Sequence, residues 1–134
     1  MAKPLQCVIV TPEQTALSQE AEFVALPLYD GELGVASNHS PLIGRLGYGE
    51  LRVKSGGTTT RWYVDGGFVE VADNVVSVLT NRAVPAGKID GKAAGTLLEA
   101  AMRKPAHSPE LLEIRDRQIA QARAQIRVAA RNRL

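Results

Sequence analysis

The sequence predicts an α+β chain: an N-terminal antiparallel β-sandwich over residues 1–87, then a C-terminal antiparallel two-helix hairpin over residues 88–134. Three observations predict it. All six aromatic residues (Phe23, Tyr29, Tyr48, Trp62, Tyr63 and Phe68) lie in the first segment, while the second has none and is rich in alanine. The first segment is a series of short apolar runs separated by glycine-rich turns, the pattern of a sandwich or barrel. The second opens twice with a helix-capping residue, each time followed by apolar residues at helical spacing. The aromatic segment can build its own core; a short alanine-rich helix pair has to lean on something. Val84-Pro85-Ala86-Gly87 is turn-rich and marks the boundary.

Taken in order, Leu5–Val10 reads as an apolar strand closed by Thr11-Pro12. Glu20–Leu26 reads as one strand, with Glu20, Glu22 and Val24 on a mixed face and Ala21, Phe23 and Ala25 on the apolar one. Gly31 and Gly34 bracket an acid in what reads as a tight turn, where glycine permits positive φ. Pro41 after Ser40 stiffens the exit of the following loop. Leu51–Lys54 and Thr60–Val64 flank Ser55-Gly56-Gly57, a hairpin signature. Phe68–Val71 and Val75–Leu79 flank Ala72-Asp73-Asn74, a second one. Between the hairpins Gly66-Gly67 allows two backbones to approach closely before a core strand resumes.

In the second segment Asp90 caps a helix expected to run to about Lys104, with Ala93, Ala94, Leu97, Leu98 and Ala101 as its apolar positions. Pro105 stops it. Ser108-Pro109-Glu110 opens the next helix: an N-cap serine, a proline in the first turn and an acid at the positive end of the dipole. Leu112, Ile119 and Ile126 recur every seven residues in a narrow stripe, with Ala122, Ala129 and Ala130 nearby. The short connection predicts antiparallel helices that the alanines allow to approach closely.

The net charge of +2 conceals an asymmetry. Residues 1–87 hold six Lys/Arg against nine Asp/Glu, and residues 88–134 hold ten against five. From Arg117 onward there are five arginines and no acid, and Arg123, Arg127 and Arg131 form one ridge at i, i+4, i+8. Such a ridge is a solvated face or a surface for an acidic partner. It does not indicate nucleic acid, because the aromatics that would stack bases sit in the acidic segment. No run approaches the roughly 20 apolar residues of a membrane span. The start shows no signal-peptide pattern, so the expected place is the cytosol, with membrane association only through a partner. Cys7 is the single cysteine, which excludes an internal disulfide and a cysteine zinc site; it reads as a small core residue. No metal site and no catalytic residue is expected. Asp30, Glu32 and His39 could in principle do acid–base work, but phosphate-loop, H-E-x-x-H and G-x-S-x-G motifs are missing.

Three stretches together resemble the epsilon-subunit family of bacterial F-type ATP synthases. Gly31-Glu32-Leu33-Gly34-Val35 followed by Asn38-His39-Ser40-Pro41-Leu42 is similar to G-E-L-G-[IV], then G-H-A-P-L. Gly49-Glu50-Leu51-Arg52-Val53 is similar to G-x-[ILM]-R-[IV]. Asp65-Gly66-Gly67-Phe68-Val69-Glu70-Val71 resembles S-G-G-[FI]-[LV]-E-V, with aspartate in place of the serine. Leu5–Leu17 looks like the family's opening strand, so the resemblance covers essentially the whole chain. Each motif alone is weak; their order and spacing are specific.

The resemblance implies a non-catalytic part of the central rotor stalk, which couples proton-driven c-ring rotation to ATP synthesis. It implies gamma, c-ring and beta subunits as partners, and a peripheral place on the cytoplasmic face of the bacterial inner membrane. By resemblance Gly31, Glu32, Leu33, Gly34, His39 and Pro41 form a loop facing the c ring. The helical pair would fold down on the sandwich or extend to inhibit ATP hydrolysis, through Leu112, Arg115, Ile119, Arg123, Ile126, Arg127 and Arg131. Some family members bind ATP through [IL]-D-x-x-R-A. The matching positions here are Ile89, Asp90, Lys92 and Ala94, but Ala93 replaces the arginine that would grip phosphate. No cofactor is therefore expected, and Asp90 reads as a helix cap. The rival reading is a stand-alone ATP-sensing or protein-binding regulatory module.

Overall fold

The computed structural model describes residues 3–132. Eight strands come first: β1 (Leu5–Val10), β2 (Thr15–Ala21), β3 (Phe23–Leu28), β4 (Gly31–Ala36), β5 (Leu42–Ser55), β6 (Thr58–Ala72), β7 (Val75–Leu79) and β8 (Ala83–Pro85). A 3-10 turn at Ala86–Lys88 leads into α1 (Gly91–Met102) and α2 (Pro109–Arg131). The strands form one hydrogen-bonded path, β2-β1-β7-β6-β5-β3-β4, with β8 paired to β6. Every pairing is antiparallel except β1 with β7, which is parallel.

The two expected hairpins are present as two-residue turns. Gly56 and Gly57 have φ of 56° and 82°, and Asp73 and Asn74 have 51° and 62°, the paired positive values that match the twist of the flanking strands. Strands β5 and β6 remain in register from Leu42↔Val71 to Ser55↔Thr58, so they form a single long ribbon. The ribbon changes face halfway. Leu46, Val69 and Val71 point into the core in its first part; Leu51, Val53 and Val64 do so in its second. On β5 the inward positions therefore pass from even to odd, which a period-2 strand can do only by turning over. The turn is made at Gly66 and Gly67, with φ of 72° and 106°, and a Cβ at Gly67 would collide with the Leu79 carbonyl. The close backbone approach anticipated at this glycine pair is what the structure contains.

Because the ribbon turns over, the sheet folds into two layers with one core between them. Leu5, Cys7 and Ile9 from β1 and Val76 and Val78 from β7 meet Val24, Leu26 and Val35 from β3 and β4, all fully buried. Each such side chain contributes about 1.5–3 kcal/mol through burial. Cys7 is part of this core, and burial pushes its thiol up to about 12.

Three local expectations are corrected. The expected strand Glu20–Leu26 is broken at Glu22 into β2 and β3, so the alternation restarts. Phe23 is then 40% exposed and Val24 is buried. Gly31–Ala36 is a strand, and the tight turn lies at Tyr29-Asp30. Gly31 does have positive φ (145°), but Gly34 is present for another reason: a Cβ there would come within 2.6 Å of the Phe23 ring. Finally, α1 ends at Met102, short of Lys104, and buries Ala94 and Ala101 while Ala93 and Leu97 stay exposed.

Both helix starts are as expected. The Asp90 carboxylate accepts from the amides of Lys92 (2.9 Å) and Ala93 (3.2 Å). The Ser108 hydroxyl accepts from Leu111 (3.1 Å), with Pro109 opening α2.

Candidate functional site

The turned-over ribbon has an outward face, and α2 lies on it. Tyr48, Glu50 and Arg52 of β5 stand opposite Asp65, Tyr63 and Arg61 of β6 in the antiparallel register. Cross-strand neighbours on one face are close enough to interact. These six side chains therefore form a polar platform on the outer side of one layer. Sequence reasoning did not assemble it, although polar and aromatic residues at every second position of two strands in a predicted hairpin were the available signal.

Glu50 is the centre of the platform, with its side chain only 8% exposed. Its carboxylate accepts from Arg61 Nε at 2.7 Å, from Arg131 Nη1 at 2.7 Å and more distantly from Arg52 Nη1 at 3.4 Å. Arg61 continues into the helix end, donating to Asn132 Oδ1 (2.7 Å) and to the Val128 carbonyl (3.1 Å). That places a cation at the negative end of the α2 dipole. Asn132 in turn donates to the Ala86 carbonyl at 2.7 Å.

Asp65 is the second anchor. It accepts from Tyr63 Oη at 2.9 Å and from Gln121 Nε2 at 3.0 and 3.2 Å. Its own amide is held by Thr80 Oγ1 and the Arg82 carbonyl. Burial raises the Tyr63 hydroxyl far above its ordinary range, and the adjacent Asp65 charge adds to the effect. Between the anchors, Ala124 and Val128 pack with Tyr63, Ala86 and Ile89 in a second small core.

The residues singled out from the sequence fall in several places. Glu32 projects from β4 and is bidentate to Arg52 at 2.8 and 3.2 Å, which raises the Arg52 guanidinium mainly through that hydrogen bond. His39 and Pro41 lie beyond the other end of β4, where His39 Nδ1 meets the Ser40 carbonyl at 2.7 Å. Glu32 and His39 therefore do not share a loop: from Glu32 to Ala36 alone the strand covers about 13 Å. Asp30, Glu32 and His39 form no acid–base trio. Gly31, Leu33 and Gly34 all lie on β4, which ends the strand order and leaves its outer edge unpaired among the described residues.

On α2 the heptad stripe is not the surface that meets the sandwich. Leu112 is exposed and Ile119 and Ile126 are half-buried, while Ala124 and Val128, on a neighbouring face, make the contact. Arg123 and Arg127 are exposed, Arg131 is committed to Glu50, and the buried Nε of Arg115 finds no partner. Arg133 lies outside the described residues. Around the start of α1, Ile89 and Ala94 are buried in packing, Asp90 is used as a cap and Lys92 is exposed.

A family model described as the ATP synthase delta/epsilon chain β-sandwich domain matches residues 4–86. An ATP synthase epsilon chain of Rhodopirellula baltica is 48% identical over 93% of this chain and 98% of its own length. The chain belongs to the ATP synthase epsilon-chain family. Members of that family are non-catalytic subunits of the complex. An epsilon chain of Desulfitobacterium hafniense is 38% identical over 98% of this chain and all of its own length. Among solved structures, a chain of the Euglena gracilis mitochondrial ATP synthase (OSCP/F1/c-ring) superposes with a TM-score of 0.81 at 23% identity, covering 90% of this chain and 78% of that one. A chain of the Tetrahymena thermophila mitochondrial ATP synthase central stalk/c-ring gives 0.75 at 11% identity, covering 96% and 98%. These two likenesses extend the fold of the family, sandwich and helices together, to distant sequences.

Proposed function

We propose that this epsilon chain stands in the central stalk of a bacterial rotary ATP synthase, at the cytoplasmic face of the inner membrane. There it binds gamma, rests on the c ring and helps couple proton-driven rotation to ATP synthesis. Its helical arm, residues 88–134, restrains ATP hydrolysis when it leaves the sandwich and reaches the beta subunit. The observation that carries this reading is the full-length relationship to epsilon chains, joined to an arm seated on the sandwich mainly by alanine and polar contacts. No helix among the described residues is long and apolar enough to cross a membrane, in keeping with a peripheral subunit held by its partners.

Three surfaces suit the three partners. The outer face of the layer opposite the arm exposes Ile43, Phe68 and Leu79, with Phe68 and Leu79 directly paired across strands. An apolar cluster of this kind suits a permanent partner, and gamma is assigned to it. The open edge of β4 links Glu32 to the loop carrying His39 and Pro41, so a c-ring contact running along that edge engages both ends. Exposed Arg123 and Arg127 suit an acidic segment of beta. A nucleotide has no part in this reading, since Ala93 offers no guanidinium and Asp90 already serves the helix.

The decisive experiment is to tag the chain in its source cells, solubilise the membranes in mild detergent and identify stoichiometric companions. Recovery of alpha, beta and gamma with the c ring is the expected result. Recovery of this chain alone from the soluble fraction would overturn the stalk assignment.

A further inference from the structure

Nearly all the apolar contact between α2 and the sandwich comes from Ala124 and Val128, with Ala129 at the margin. They cover the Tyr63 ring, which is fully buried, but the helix itself contributes only small side chains, so polar contacts add substantially to how firmly it is held. Among the described residues, Arg131 with Glu50 is the only ion pair between the arm and the sandwich.

We propose that Glu50 is an electrostatic catch that holds the last turn of α2 on the sandwich and sets how often the arm lets go. The Glu50 carboxylate is shielded from water, so its attraction for Arg131 is screened less than that of an open surface pair. Yet departure of Arg131 strands no charge. Glu50 keeps Arg61 at 2.6 Å and Arg52 at 3.4 Å, both supplied by its own ribbon. Asp65 likewise keeps the Tyr63 hydroxyl when Gln121 leaves. Arg131, already half-exposed, passes into water, where a guanidinium is well hydrated. Release exposes Tyr63 and frees Arg61 from Asn132 and Val128, but both carboxylates of the platform keep a partner, which lowers the cost of the detached state. Glu50 occupies the variable position of G-x-[ILM]-R-[IV], so the catch belongs to this chain and not to the pattern.

Docking is a property of the chain alone; only its consequence for ATP hydrolysis rests on the regulatory-arm reading. Cys7 is buried and leaves introduced thiols to react selectively. Nitroxides at Thr59→Cys on the β5–β6 hairpin and Ala130→Cys on α2, both exposed positions, then report the arm–sandwich distance in the full chain. Arg131→Ala, which alters only the arm, and Glu50→Gln are expected to raise the long-distance population about tenfold, the loss of one charge-assisted hydrogen bond. Arg123→Ala removes the same charge about two turns earlier, from an exposed side chain that meets no sandwich group among the described residues, and is expected to leave the distances unchanged. Unaltered distances in Arg131→Ala, or an equal release in Arg123→Ala, would overturn the catch. If Arg131→Ala frees the arm while hydrolysis by the assembled complex stays at the parent level, the catch stands and the inhibitory reading falls.

Discussion

Gly67 combines two constraints at one position: a φ of 106° and no room for a Cβ beside the Leu79 carbonyl. Gly67→Ala is expected to destabilise the sandwich by about 3 kcal/mol or more, because both the strain and the clash fall on backbone that cannot move aside. A urea midpoint shift smaller than that of a typical surface substitution would contradict it. Cys7 gives a pH dependence. Its thiol ionises at about 12 in the folded chain and near 9 when exposed, so the folded state holds the proton more tightly. Its contribution is complete below about pH 9 and is lost as the pH rises towards 12, at about 1.4 kcal/mol per unit. Urea midpoints measured across this interval should fall, and less steeply in Cys7→Ala. Both residues were legible in the sequence: a glycine pair before a core strand, and a lone cysteine among aliphatics. Glu50 was not. Its importance comes from Arg131, eighty-one positions away, and no local pattern announces such a partner.

At the scale of elements, the caps transferred from sequence to structure because capping is local chemistry. Ser108→Ala, which leaves the Leu111 amide without its acceptor, is expected to lower helix stability by about 1 kcal/mol. Amide hydrogen exchange in the first turn of α2 would register it as faster exchange there with little change in β5 and β6. The faces of the helices were harder to read. Leu112, Ile119 and Ile126 draw attention by size, but the sandwich is met by Ala124 and Val128, whose side chains carry a weak signal in any periodicity. Similarly, the alternation through Glu20–Leu26 assumed one unbroken strand. A break at Glu22 inverted it and brought Phe23 out over Gly34, which has no side chain to exclude it.

For the whole molecule, the division of labour follows from where the cores lie. The main core draws only on strands, whereas Ala124 and Val128 add to a small second one. Removing residues 88–134 is therefore expected to leave a folded sandwich that still assembles into the stalk, while ATP hydrolysis by the complex rises. Hydrolysis unchanged by the truncation would remove the case for a restraining arm. The fold class was legible because hairpin turns, strand spacing and caps all pointed to it. The way one ribbon joins the two layers was not, because it depends on β5 and β6 turning over at Gly66 and Gly67, and a glycine pair in a sequence does not tell which faces it exchanges.

A sandwich held together by side chains alone is weak against sliding of one sheet over the other. Here β5 and β6 pass through both layers without a break in register. Torque applied at one face reaches the other along two covalent backbones and the hydrogen bonds between them. The two layers are thus tied against sliding by backbone, whereas the arm is seated through side chains alone.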